Sequence, residues 1–367
     1  MSRVDLLNDL DHPESDQSAA HVIRQSDARD IPVGDNSIDL VFTSPPYWQK
    51  RDYGHEDQIG QEPAVEDYVS NIMDGFEEWE RVLTERGTIF LNIGDTYQRK
   101  DRMGIPWRVA EAARARGWTV RSEIIWHKPN GIPNPARDRF TNRHEHIFHF
   151  THQNGYYFDK FGYRTVYDDP IDVWKISHDR NKDHLAPFPE ELVERALVAG
   201  CPPAVCTECG KPQERKVEKA MTQLNQNRPQ ARRAMKKFEQ SDLTEEHVKA
   251  IRAVGISDAG KGQEVQNGSG RNADRMVKLA EEAKEVLGGY FREFTFPVKT
   301  TAGWSKCDCG ADTRPGIVLD PFAGSGTTVE VAESMRMSGV GVDLGPLTDL
   351  RFYTETGHVE SPLPNET

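Results

Sequence analysis

The chain has 367 residues, 36% of them hydrophobic, enough for one large core with an appendage or for two modest domains. No apolar run reaches the length of a membrane span, and the acidic start MSRVDLLNDLDHPESDQ lacks the basic and apolar regions of a secretory signal, so a cytoplasmic protein without a membrane partner is expected. The formal net charge of −13 argues against a uniformly nucleic-acid-binding surface, yet residues 211–252 hold eleven Lys/Arg against six Asp/Glu, a local excess of five positive charges.

In chain order, strand patterns at 21–25, 38–42, 88–93, 119–126 and 144–150 alternate with helical periodicity at 65–83 and 106–116, and a short helix is expected at 190–198. From 211 to 289 the composition shifts to Gln, Asn, Arg and Lys, with a loop at 255–270. The earlier pattern then returns as a strand at 316–319, a helix at 327–335 and a strand at 339–343. Such alternation is the signature of a mostly parallel α/β sheet with crossover helices, here assembled from both ends of the chain around a central insertion.

Two stretches interrupt the pattern in a way that points to chemistry. TSPPYW, at 43–48, follows the apolar run IDLVF. Consecutive prolines cannot continue a sheet ladder, so the strand stops there and delivers a hydroxyl and two aromatics to the carboxyl edge, where open α/β sheets bind ligands. An isolated Ser-Pro-Pro is more often just a turn; a partner site is needed to change that reading.

VLDPFAGSGTT, at 318–328, supplies one: a strand ending in a carboxylate, a Gly-x-Gly turn that lets backbone approach a ligand, and Thr327-Thr328 opening a helix. It lacks the Gly-Lys-Ser/Thr of a phosphate loop and the third glycine of a dinucleotide fingerprint, which favours a nucleoside without pyrophosphate. The strand GVGVD ends in Asp343, where such folds bind ribose hydroxyls. Asp95, at another strand end, has two readings, support of the site or capping of the next segment. His127 and Lys128 are either site groups or a solvated strand end.

The cysteines form the pairs Cys206/Cys209 and Cys307/Cys309, each followed by glycine, with Cys201 left over as a buried thiol. Four thiolates on two tight turns make a closed structural Zn²⁺ site, a zinc knuckle stapling the base of the basic insertion.

Together SDARDIP (26–32), TSPPYW, LNIGDTY (91–97), GIPWRVA (104–110), IIWHKPN (124–130), HLAPFPEELV (184–193) and DPFAGSGTT (320–328) resemble the amino-group DNA methyltransferases of the permuted kind, in which the catalytic motif precedes the S-adenosylmethionine motif. The composition is similar to haloarchaeal modification methylases. The resemblance implies a seven-stranded sheet with helices on both faces and divides the chain into 1–200 (catalytic half), 201–312 (zinc knuckle and basic insertion), 313–350 (cofactor half) and a tail at 351–367. It also implies that Asp320, Phe322, Gly324, Gly326 and Thr327 line S-adenosylmethionine, that Asp343 takes the ribose and that Asp27 lies near the adenine. The implied partner is double-stranded DNA, with a cognate restriction endonuclease in the host.

The amino group of a nucleobase is a poor nucleophile, because its lone pair is delocalised into the ring. Catalysis therefore means holding its N–H bonds with acceptors so that the lone pair faces the sulfonium methyl. Ser44 and the rigidly held carbonyl of Pro45, next to Pro46, suit that task; Tyr47 can stack on a flipped base and Trp48 can wall the pocket. In the family that this chain resembles, Ser before Pro-Pro usually goes with cytosine N4 and Asp or Asn with adenine N6, so cytosine N4 is expected, with adenine N6 or an RNA methyltransferase as the alternatives among enzymes. An inactive zinc-containing nucleic-acid-binding protein is the other class considered. Duplex contacts are expected from Arg228, Arg232, Arg233, Lys236 and Lys237, at near-helical spacing in the basic segment.

Overall fold

The computed structural model describes residues 12–13, 15–131, 136–167, 170–177, 188–220, 224, 229–254, 274–295 and 298–345. The chain divides into two compact units, Met1–Glu214 with Trp304–Thr367, and Arg215–Gly303.

The first unit opens with β1 (His21–Gln25), β2 (Ile38–Thr43), α1 (Val65–Val82) and β3 (Leu83–Ile93). The short hairpin β4 (Tyr97–Gln98) and β5 (Asp101–Arg102), α2 (Ile105–Ala115), β6 (Thr119–His127) and β7 (His144–Thr151) follow. Next come α3 (Lys160–Tyr167), β8 (Val173–Lys175), α4 (Glu190–Gly200) and β9 (Val205–Cys206). The sheet order is β1-β14-β13-β2-β3-β7-β6-β8, where β12 (Thr313–Arg314), β13 (Ile317–Asp320), α9 (Thr327–Ser334) and β14 (Ser338–Asp343) come from the far end of the sequence.

Among the described residues the sheet therefore has eight strands, not the expected seven. The extra one, β8, pairs parallel to the outer edge of β6 through Trp126 and Trp174, and three residues are too few to show a strand period. All pairs are parallel except those that β7 makes with β3 and β6, so β7 brings its first residues, not its last, to the carboxyl edge of the sheet.

Alternation along the strands splits the core in two. Ile89 and Leu91 pack with α1 and α2 on one face. Phe90, Leu40, Phe42 and Val318 pack with α4 and α9 on the other. Pro106, near the start of α2, leaves no donor wasted there. The N–H groups that remain at that end are met by Asp95, whose carboxylate accepts from Gly104 N (3.2 Å) and Ile105 N (3.1 Å) and pairs with Arg102 (2.7 Å). Asp95 thus caps α2, one of its two readings.

The second unit holds β10 (Arg215–Ala220) paired with β11 (Val298–Trp304), and the helices α5 (Pro229–Glu239), α6 (Glu245–Val254), α7 (Asp274–Leu287) and α8 (Phe291–Thr295). Among the described residues its core is small: Leu224, Ala231, Ala234, Val248, Ile251, Ala283, Leu287 and Phe294. The loop expected at 255–270 lies outside the described residues.

Candidate active site

β2 and β13 are sheet neighbours, so the two motifs that interrupt the sequence pattern are adjacent in space. One carboxylate ties them together. Asp320 accepts from Thr43 Oγ1 (2.7 Å), Thr328 Oγ1 (2.6 Å) and Phe322 N (3.1 Å). It is fully buried at 0% exposure, and burial pushes its carboxyl up to about 6 against those hydrogen bonds. Asp320 is thus an internal post between the two motifs, its oxygens accepting from the Thr43 and Thr328 hydroxyls and the Phe322 N–H.

Gly324 and Gly326, at φ +50° and +85°, form the turn into α9, whose first residue is Thr327. The positive φ values are those only glycine adopts without strain. The Gly324 N–H donates to Asp343 Oδ2 (2.8 Å) across the ends of β13 and β14, and Gly345 N donates to Oδ1 (2.8 Å). Phe322, half-buried, sets its edge against Trp79. A glycine turn exposed at Gly324, a helix start and a partly exposed carboxylate at one sheet edge form a cradle fit for a nucleoside. Asp27 stands at the same edge, one residue past Ser26, whose N–H donates to the Asp343 carbonyl (3.1 Å). Its carboxylate is already held by Arg29 through the backbone N–H, Nε and the terminal nitrogen, at 2.6–2.8 Å.

At the end of β2, Ser44 Oγ lies 3.2 Å from Asn92 Nδ2 and 3.4 Å from the Tyr47 hydroxyl. Tyr47 donates to Glu145 Oε2 (2.8 Å), and Lys128 Nζ reaches Glu145 Oε1 (2.5 Å) while lying 4.0 Å over the Trp126 ring. Burial and the Glu145 carboxylate hold the Tyr47 hydroxyl well above its ordinary pKa, so it stays a donor. The Tyr47 ring lies where a side chain on Gly94 would be: a Cβ there would meet it at 2.6 Å. The Pro46 carbonyl accepts from Tyr68 (3.0 Å).

Trp48 is placed differently from its expected role. It is 2% exposed, belongs to the core beside α1, and its indole N–H donates to the Glu62 carbonyl (2.8 Å), so it does not line an open pocket.

Asn92, Glu145 and Gly94 were not singled out as site residues. Asn92 and Gly94 stand in the LNIGDTY motif, which was the available signal. Glu145 gave none, because it stands second in an antiparallel strand and reaches the edge from the opposite chain direction.

The four cysteine Sγ atoms of Cys206, Cys209, Cys307 and Cys309 lie within 4.8 Å of one another. Gly210 and Gly310, after the second cysteine of each pair, have φ +66° and +69°, and the Gly210 N–H closes its turn on the Cys206 carbonyl (3.1 Å). Backbone N–H groups of Cys209 and Glu208 lower the Cys206 thiol to about 7, while the neighbouring thiols of Cys209 and Cys307 push Cys309 up to about 12. Cys201 is buried, and its thiol is raised by that burial.

In the second unit, Arg232, Arg233, Lys236 and Lys237 are all exposed on α5, with Ala231 and Ala234 on its buried side. Arg228 lies outside the described residues.

An eight-stranded α/β sheet with a glycine turn and a Ser-Pro-Pro-Tyr loop at one edge defines the methyltransferase class of fold. Over 94% of this chain and 92% of the other, it aligns with the PvuII DNA methyltransferase (cytosine-N4-specific) at a TM-score of 0.51 and 14% identity, a likeness of fold. The DNA methylase family profile matches residues 38–204. The chain is 36% identical over 216 residues to the type II methyltransferase M.SmaI of Serratia marcescens, spanning 48% of this chain and 74% of that one. To M.Cfr9I of Citrobacter freundii it is 34% identical over 210 residues, 48% and 69% of the two chains. The chain belongs to the DNA methylase family, S-adenosylmethionine-dependent methyltransferases that modify amino groups of DNA bases.

Proposed function

We propose that this protein transfers a methyl group to the N4 amino group of a cytosine flipped out of duplex DNA. The observation that carries this reading is Ser44, a hydroxyl and not a carboxylate or amide at the head of the Pro-Pro-Tyr loop, with its Oγ held by the Asn92 amide at the end of the sheet. Accepting one amino N–H, Ser44 Oγ draws the nitrogen toward tetrahedral geometry. The Pro46 carbonyl is taken by Tyr68, so Pro45 is the proline whose carbonyl accepts the other N–H. The Tyr47 ring, anchored through its hydroxyl, is the stacking surface for the extruded base.

S-adenosylmethionine supplies the electrophilic sulfonium methyl. Phe322, Gly324, Gly326 and Thr327 are assigned to its cradle and Asp343 to its ribose. The type II methyltransferase names of the relatives support a place in a restriction-modification pair. For the cysteines we assign one structural Zn²⁺, on the ground that four Sγ atoms on two glycine-closed turns match a tetrahedral thiolate set. Exposed basic side chains on α5 are assigned to the phosphate backbone.

Nucleoside analysis by mass spectrometry of DNA from cells expressing the protein tests the reading, since it identifies base and position together. N4-methylcytosine is the expected product. N6-methyladenine would overturn the base assignment and leave the reaction class standing.

A further inference from the structure

Methylating a neutral amino group leaves one proton too many on nitrogen, and the Ser-Pro-Pro-Tyr loop alone contains no group to receive it. The residues around that loop do. We propose that Glu145 is the terminal proton acceptor of the reaction, reached from the base through Ser44 and Tyr47, and that Lys128 positions its carboxylate.

The polarity of the hydrogen bonds carries this assignment. Three donors converge on one carboxylate: Lys128 Nζ on Oε1 (2.5 Å), and the Tyr47 hydroxyl (2.8 Å) and Asn92 Nδ2 (3.2 Å) on Oε2. An ionised carboxylate only accepts, so the single Tyr47 proton is committed to Glu145 and the phenolic oxygen is left as an acceptor. Asn92 Nδ2 donates to it as well (3.0 Å). The remaining neighbour of that oxygen is Ser44 Oγ at 3.4 Å, which directs the serine O–H inward and leaves the Oγ lone pairs for donors: the Asn92 amide (3.2 Å) and the amino group of the base. The carboxylate thus dictates, two hydroxyls away, that Ser44 meets the base as an acceptor.

The same chain has a direction for the proton. As nitrogen's lone pair forms the N–C bond and the C–S bond breaks, the electron pair leaving with sulfur gives a neutral thioether and the positive charge passes to the amino nitrogen. One N–H proton then moves to Ser44 Oγ, the serine's own proton to the Tyr47 oxygen, and the tyrosine's proton to Glu145 Oε2. Both hydroxyls are regenerated, and the charge ends as a carboxylic acid beside the Lys128 ammonium. Asn92 cannot take this role: the lone pair of its amide nitrogen is delocalised, and its two N–H groups, shared among Ser44, Tyr47 and Glu145, only donate. Lys128 and Glu145 are both largely buried, at 14% and 17% side-chain exposure, so bulk water does not replace the pair at no cost.

The proposal rests on the methyltransferase reading, so the parent is assayed alongside every variant. The assay follows incorporation of labelled methyl from S-adenosylmethionine into unmethylated genomic DNA, under single-turnover conditions, with cofactor and DNA binding measured separately. Glu145→Gln keeps the shape but can donate to Tyr47 and so reverses the chain; its turnover should fall about a hundredfold with cofactor and DNA affinities unchanged. Tyr47→Phe should cost a similar factor, and the Tyr47→Phe/Glu145→Gln double variant no more than either alone, because one relay is broken once. Should Glu145→Gln misfold for want of a charge opposite Lys128, the paired Glu145→Gln/Lys128→Met variant restores neutrality and should show the same loss. Parental turnover in a folded Glu145 variant, or losses from Tyr47 and Glu145 that multiply, would overturn the relay. A parent that transfers no methyl group overturns the reaction itself, a distinct result.

Discussion

Each polar side chain at the edge of the sheet has a different job, and substitution should separate them. Ser44→Ala should lower turnover by about a hundred- to a thousandfold while S-adenosylmethionine binds as before, because the lost oxygen acts on the base as charge develops. Asp343→Ala should do the reverse, weakening cofactor binding first; calorimetric titration with the cofactor distinguishes the two, and equal affinity losses in both variants would contradict the assignments. Asp320 is the one whose ionisation works against the fold. Its carboxyl is raised from 3.8 to about 6 by burial, so the folded state binds the extra proton between those values. That contribution is fully present below pH 4 and lost as pH rises through 6, about 3 kcal/mol in all. Asp27 and Glu78, whose carboxyls are lowered by their arginine partners, slope the other way. The difference between parent and Asp320→Asn therefore isolates the effect: in urea unfolding at pH 4.5 and pH 7, the parent's stability relative to the variant should be lower at the higher pH. A difference independent of pH would mean Asp320 is not shifted.

Among the elements, the short pair β9 and β12 joins the segment that leaves α4 to the segment that enters β13, through Cys206 opposite Thr313 and Val205 opposite Arg314. Two residues in each strand are a weak ladder, so the neighbouring cysteines are expected to carry this junction. Purified without chelator, the protein should hold about one zinc ion per chain by elemental analysis, and Cys206→Ser or Cys307→Ser should lose it, lowering the melting temperature by roughly 5 °C or more. A metal-free parent with full thermal stability would refute the site. Arg314 reinforces the junction from the other side by pairing with buried Asp39 at 2.6 Å.

For the whole molecule, the question is how a chain of net charge −13 holds a polyanion. The answer offered by its charge distribution is segregation, with positive charge concentrated on α5 in the second unit. Neutralising Arg232, Arg233, Lys236 and Lys237 to Gln should weaken DNA binding and lower the slope of log K against log salt by up to about 3–4, with cofactor binding in the first unit unchanged. Helix content by circular dichroism checks that α5 survives, since its buried alanines are untouched. Unchanged DNA affinity and salt dependence would move duplex binding off this helix.

Local sequence determined what depends on chain neighbours. The strand patterns of the sheet other than β8, the Pro-Pro stop after β2, the glycine turn before α9 and the spacing of each cysteine pair were legible, because a two-residue period, a missing N–H and a positive φ are properties of adjacent residues. The Ser-Pro-Pro-Tyr and Gly-x-Gly motifs marked the sheet edge for the same reason. Tertiary structure decided what each side chain does there. Asp320 became an internal post because parallel pairing of β13 with β2 sets Thr43 against it, 277 residues away in sequence. Trp48 turned into the core because the chain after Pro46 folds back onto α1. Glu145 entered the site because β7 runs antiparallel, so the start of a strand, not its end, meets Tyr47. Strand direction and side-chain facing are settled by which faces bury together, and no window of adjacent residues contains that information.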